Sequence, residues 1–201
     1  GIPKSDVRDP GRRRENPIVR PEELENFSQP HFEILHEWRP SADFTINNTL
    51  FFVAGDGFFD YDGSWAPLLY FRLSPDYGFP FIGDPETTVI PDALIHAGVS
   101  NRQYGWLPRV TMKHAGGTTI VGGEFRLHRS LHWGELKNTP GLPAFVPANH
   151  RYYEYRGGKD IVSLYAHTLL DLSPGMKLMA DLQYAYNRYR LYEERYVGTE
   201  F

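Results

Sequence analysis

Residues 160–187 read DIVSLYAHTLLDLSPGMKLMADLQYAYN, and the fold turns on the period of that stretch. Before the turn signal Ser173-Pro174-Gly175, Val162, Leu164, Ala166 and Leu170 share one parity, and Ser163, Tyr165 and His167 share the other. After it, Leu178, Ala180, Leu182, Tyr184 and Tyr186 oppose Lys177, Asp181, Gln183 and Asn187. A period of two sends successive side chains to opposite faces of a strand, and Pro-Gly between two such arms makes a hairpin.

The pattern occurs twice upstream. In HFEILHEWRP, Phe32, Ile34 and Trp38 alternate with Glu33, Glu37 and Arg39; beyond Pro40–Asp43, Phe44, Ile46, Leu50 and Phe52 alternate with Thr45, Asn47 and Thr49. Between Tyr104 and Lys113, Trp106, Val110 and Met112 oppose Arg109, Thr111 and Lys113. After Ala115-Gly116-Gly117, Val121, Phe125 and Leu127 oppose Glu124, Arg126 and His128. These arms predict an all-β, antiparallel up-and-down chain of about six strands in three hairpins.

Each arm alternates over roughly nine to twelve residues, against about five or six for an average soluble strand and about 9–11 for a tilted strand crossing a bilayer. Connections within hairpins are short, whereas Gly57–Gln103 and Arg129–Arg156 are expected as long loops. Short turns alternating with long loops are the layout of outer-membrane barrels, with turns on the periplasmic side and loops outside. Aromatic residues sit toward strand ends: Trp38 and Phe44 beside a turn, and Tyr104, Trp106, Tyr152, Tyr153, Tyr155, Tyr184, Tyr186 and Tyr189 nearer the loops. Rings with an apolar body and a polar tip suit a membrane interface.

Composition fits this reading. The 201 residues include 13 Tyr, 13 Phe and 4 Trp, with 16 Pro and 19 Gly as punctuation. No run of apolar residues is long enough for a transmembrane helix, and mean hydropathy is −0.47. A barrel strand shows lipid only every second side chain, so neither fact argues against a membrane. Net charge is −4, which gives no basic footprint for nucleic acid. Absence of cysteine excludes disulfides, thiolate metal sites and cysteine nucleophiles. Gly1 is followed by no signal-peptide pattern, and Arg12-Arg13-Arg14 by no apolar segment, so the N-terminus is expected to be processed or truncated. Residues 1–30 read as a polar loop or tail, and 31–201 as part of an outer-membrane barrel.

Residues 123–136, GEFRLHRSLHWGEL, raise the question of a metal. On a helix His128 and His132 would share a face and could hold zinc. On a strand they would stand about 13 Å apart at about 3.3 Å per residue. Phe125, Leu127, Leu131 and Trp133 keep one parity, broken by Arg129, while Glu124, Arg126, His128, Ser130 and His132 keep the other. The strand reading therefore excludes a shared ion. Asp56, Asp60 and Asp62 lack the later ligands of a calcium loop and read as a turn where a strand emerges. No nucleophile elbow, phosphate loop or HExxH occurs, so neither an enzyme nor a cofactor is expected.

The stretches from His31 to Asp62, Tyr104 to Leu136 and Tyr152 to Phe201 resemble the barrel region of TonB-dependent outer-membrane receptors, the Asp160–Tyr186 hairpin most of all. The resemblance implies active uptake of a scarce ligand, such as a siderophore, cobalamin or glycan, energised by the TonB complex. It also implies a Gram-negative outer membrane, contact with its lipid, and barrels of about 22 strands with a plugged lumen. No plug domain or TonB box is recognisable, so this chain reads as an internal barrel fragment. On this reading Glu124, Arg126, His128, Asp181, Gln183 and Asn187 face the lumen, and Asp60, Tyr61, Trp65 and Tyr70 are loop contacts for ligand. The alternatives are another barrel, such as a porin or fatty-acid channel, and a soluble carbohydrate-binding β-sandwich. Six strands cannot close a membrane barrel by themselves, since even the smallest have about eight.

Overall fold

Strand is the dominant element in the computed structural model, which describes residues 4–15, 18, 20–137 and 142–195. Seven strands form one sheet: β1 (Glu25–Ser28), β2 (His31–Ser41), β3 (Phe44–Asp62), β4 (Leu94–His114), β5 (Gly117–Leu136), β6 (His150–Ser173) and β7 (Met176–Arg195). The antiparallel order is β1-β3-β4-β5-β6-β7, with β2 also pairing β3, and the sheet does not close on itself among the described residues. The all-β antiparallel expectation holds at this level.

Register fixes the faces. Phe32↔Phe52, Ile34↔Leu50 and Trp38↔Ile46 pair across β2 and β3, with a bulge before Ser41 at Pro40, which has no amide hydrogen for the ladder. Val162↔Tyr186, Leu164↔Tyr184 and Ala166↔Leu182 pair across β6 and β7. Phe52 meets Tyr104, Trp106 stacks on Phe125 at 5.3 Å, and Thr119 bonds Thr168 at 2.9 Å, which carries the same face across β4 and β5. The parity read from sequence therefore becomes one apolar face running over six strands.

The strands are longer than the alternation alone predicts. β3 has 19 residues, β4 21, β5 20, β6 24 and β7 20. The expected loops shrink accordingly to residues 63–93 and 137–149. Alternation marks only the part of a strand whose two faces meet different surroundings. Where the apolar side ends, pairing continues without that signal. Within residues 1–30, read as a tail, Glu25–Ser28 adds the short β1.

The chain divides into two compact units. The larger, residues 27–57, 98–133 and 153–201, holds β2, both turns beyond β4 and β6, and most of the length of the other long strands. Its apolar face is open: Val121, Phe125, Leu164 and Leu182 are all solvent-accessible, Leu182 at 74%. Its polar face is better covered, with Phe51, Val53 and Ser163 buried.

The smaller unit, residues 1–26, 58–97 and 134–152, contains nearly all the fully buried side chains. Ala66, Leu68, Phe71, Leu73, Ile90 and Ala93, all from the segment expected to be an open loop, pack with Ile95, Leu136 and Val146. Short backbone bonds fold the segment: Leu68 N–H donates to Thr88 at 2.8 Å, Leu69 to Pro85 at 2.8 Å and Leu73 to Leu68 at 3.0 Å. Turns satisfy the backbone here in place of a ladder, which is why no period announces the core.

Candidate functional site

The polar face of the larger unit carries two clefts. The first, of about 720 Å³, takes lining residues from β2 through β7, among them Glu37, Asn47, Arg109, Glu124, Tyr165 and Gln183. Six flat strands would extend about 24 Å at about 4.8 Å per spacing. One cleft touched by all six therefore requires the sheet to curl about this face.

Its walls are hydrogen-bonded to one another. Asn47 donates to Glu37 at 3.0 Å and accepts from Arg109 at 3.3 Å. Gln183 donates to Ser163 at 3.2 Å. Glu124 and Arg126 form an ion pair, and the Arg126 guanidinium lies 5.4 Å from the Phe51 ring centre. Two glycines make room for rings: Phe51 lies over Gly105 and Tyr165 over Gly122. Such a surface carries both signs of charge and offers donors and acceptors to a polar ligand.

The second cleft, of about 630 Å³, is lined by His128, Ser130, His132, Tyr155, Lys159 and Tyr189 with the glycine pair Gly157-Gly158. His132 bonds Ser130 at 3.0 Å and stacks on Tyr155 at 4.9 Å between centroids. The Lys159 ammonium stands 4.9 Å from the Tyr189 ring centre. Burial, then the neighbouring His128, holds the His132 imidazole below its usual value and favours the neutral ring.

The predicted lumen-facing residues separate between these places. Glu124 and Gln183 share the first cleft, and His128 lines the second. Asp181 bonds His167 at 2.7 Å across β6 and β7, and Asn187 registers opposite Ile161 on the same face without lining either cleft. His128 and His132 both lie in β5, as the strand reading requires, and His132 is still within the strand. The parity places His128, Ser130 and His132 on one face of β5. The second cleft was missed because its other walls, Tyr155, Lys159 and Tyr189, come from β6 and β7, and a period within one strand does not show which residues of its neighbours lie beside it.

In the smaller unit the expected ligand contacts take other places. Asp60 and Tyr61 belong to β3, not to a loop. Asp60 is buried, its Oδ1 accepting from His96 at 2.6 Å and its Oδ2 from Lys137 at 2.9 Å, and the Phe58 ring lies against both partners. Its carboxylate is thus engaged in tying β3, β4 and the end of β5 together. Tyr61 is partly covered, and burial together with Tyr70 pushes its phenol up to about 12. Tyr70 and Phe71 pack against Tyr152, while Trp65 is exposed and donates its indole N–H to the Asp62 carbonyl at 3.0 Å. Tyr152, read as part of an interfacial girdle, is therefore a core residue. Tyr155 likewise faces the second cleft, whereas Tyr104, Tyr184 and Tyr186 are exposed on the apolar face.

The three aspartates near the end of β3 have separate partners. Asp56 accepts from Ser100 and pairs with Arg102, while Asp62 accepts from Ser64. No cluster able to hold a metal ion occurs among the described residues. Comparison with known proteins finds no family model, curated protein or solved structure that matches the chain.

Proposed function

We propose that the chain is part of an outer-membrane β-barrel transporter, a receptor of the TonB-dependent kind taking up a scarce polar ligand. The observation that carries this is the exposed apolar face. Its runs cover nine residues in each of five strands: 44–52, interrupted by Asn48, which accepts from the Trp106 indole at 3.0 Å, and 104–112, 119–127, 162–170 and 178–186. Nine residues rise about 27 Å along a strand and about 21 Å once tilted by about 40°, close to the apolar band of membrane barrels. At the ends away from the turns the same face becomes charged, with Asp56, Arg102, Arg129, Asp160 and Arg188. Lipid covers the apolar band, water and head groups the charged rim.

The opposite face supplies the path. Glu37, Arg109, Glu124 and Gln183 hydrate it, and His132, Tyr155 and Lys159 offer stacking and charge-assisted contacts to a passing ligand. The outer edges of β2 and β7 are open among the described residues, and lipid tolerates no unpaired edge. Further strands from outside this sheet complete the barrel in this reading. TonB coupling rests on the sequence resemblance to that receptor family.

The test is partitioning of the purified chain. It is expected to require detergent or phosphatidylcholine vesicles for solubility, and brominated lipid chains are expected to quench Trp106 on the apolar face. A monodisperse, detergent-free monomer would overturn the proposal and favour a soluble sugar-binding sandwich.

A further inference from the structure

Arg129 breaks the apolar parity of β5 two residues past Leu127, and its surroundings explain why. On the same face Asp160 precedes Val162 in β6, and Arg188 and Arg190 follow Tyr186 in β7. Arg129 Nη1 donates to Asp160 Oδ1 at 2.7 Å, and Arg190 Nη2 donates to Asp160 Oδ2 at 2.7 Å. One carboxylate thus holds two guanidiniums side by side. Arg188, exposed and in register with Asp160, is a third. Three arginines against one aspartate leave a local surplus of two positive charges. At the matching level of β3 and β4, Asp56 and Arg102 balance one for one.

Gly158, opposite Arg190 in register, leaves a hollow within this cluster. A carbon placed at its Cβ position would stand 3.4 Å from the Tyr192 ring, 3.6 Å from Arg129 Nη1 and 3.7 Å from Arg190 Nε. That Nε is buried and has no hydrogen-bond partner among the described residues. The hollow is thus bordered by a donor without a partner and by two guanidiniums. A cleft of about 630 Å³ lies beside it, lined by Arg129, Tyr189, Arg190, Leu191 and Tyr192.

We propose that this hollow binds the phosphate of a membrane lipid head group. The inference rests on the barrel reading, because it takes its lipid from the position of the site. Arg129 lies about 7 Å along the strand beyond the apolar run, on the side that lipid would cover, where head-group phosphates lie. Guanidinium forks match phosphate oxygens in geometry and charge.

The test uses the full chain in maltoside micelles, with dioleoyl phosphatidic acid and dioleoylglycerol as probes that differ only in the phosphate. Native mass spectrometry is expected to show retention of phosphatidic acid over the glycerolipid, with no displacement by inorganic phosphate. Gly158→Ala fills the hollow at ordinary contact distance and is expected to weaken retention about tenfold. Arg188→Gln, outside the walls, should weaken it less and guards against a folding defect in the first variant. Equal retention of the two lipids, or unchanged retention in Gly158→Ala, overturns the inference and leaves the barrel reading standing. Displacement by inorganic phosphate overturns the lipid assignment. A chain that stays out of the micelles overturns both.

Discussion

The Tyr165 ring lies across Gly122, so close that a Cβ on Gly122 would stand 2.5 Å from the ring's Cζ and from its hydroxyl oxygen. Gly105 carries the Phe51 ring in the same way, with a Cβ position 2.1 Å from the ring. Both rings belong to the polar face, where the curl of the sheet crowds side chains from neighbouring strands. A missing side chain on one strand is the space occupied by a ring on the next.

Gly122→Ala should therefore expel Tyr165 from its position beside the first cleft. Overpacking of this kind costs about 1–3 kcal/mol. A lowered urea midpoint together with changed tyrosine fluorescence checks it. Gly175→Ala, at a turn glycine with open space around it but a φ of 86°, should lower stability without the change in tyrosine signal.

Leu182 stands at the middle of the 178–186 run, where a lipid-facing charge is most expensive. Leu182→Arg is expected to lower membrane incorporation by about 2–4 kcal/mol. Gln183→Arg, one residue away on the cleft-lining face, should leave incorporation nearly unchanged. Vesicle flotation of the two variants side by side measures the difference. Equal behaviour would contradict the assignment of faces.

Asp60 holds His96 and Lys137 with its two carboxylate oxygens while being 3% exposed at the side chain. Asp60→Ala would leave both partners without their acceptor, in a site where His96 is largely covered. A stability loss of about 1–3 kcal/mol is expected. Asp60→Asn should recover part of it by keeping one acceptor. The readout is the thermal midpoint of the tryptophan signal.

His132 and His150 both lie outside the nine-residue apolar runs and both have imidazoles held below the ordinary 6.5, chiefly by burial. His150 also donates Nε2–H to the Phe71 carbonyl at 2.8 Å, which offsets part of that effect. Because the folded value is the lower one, the unfolded chain takes up these protons first as pH falls. Their stabilising contribution is complete above 6.5 and declines below it. Urea midpoints should fall between about pH 7 and about pH 5, and His132→Gln should flatten the slope.

How much of this was legible in the sequence follows from what alternation records. Residues 160–187 gave both arms, their turn and the shared facing of Val162, Leu164, Ala166, Leu170, Leu178, Leu182, Tyr184 and Tyr186, and the structure keeps the pairs Leu164↔Tyr184 and Ala166↔Leu182 on one face. The strand character of His128 and His132 was legible for the same reason. Beyond Phe52 both faces carry polar and aromatic residues, so the continuation of β3 to Asp62 left no periodic trace, whereas β5 keeps its alternation as far as Trp133, inside the stretch expected as a loop. Asp60 thus looked like a loop ligand contact when it is a buried tie.

The sequence by itself determined the local facts: extended backbone, the positions of the tight turns and the segregation of apolar from polar side chains, all set by period and by Gly or Pro chemistry. Only the tertiary structure decided which residues far apart in the chain share a space. It placed Glu37 and Gln183 on one cleft and packed Leu68, Phe71 and Leu73 from the long connection into a core. It also set Arg129 and Arg190 on the two oxygens of Asp160. Those outcomes depend on strand order, curl and non-local packing, and a period of two is blind to all three.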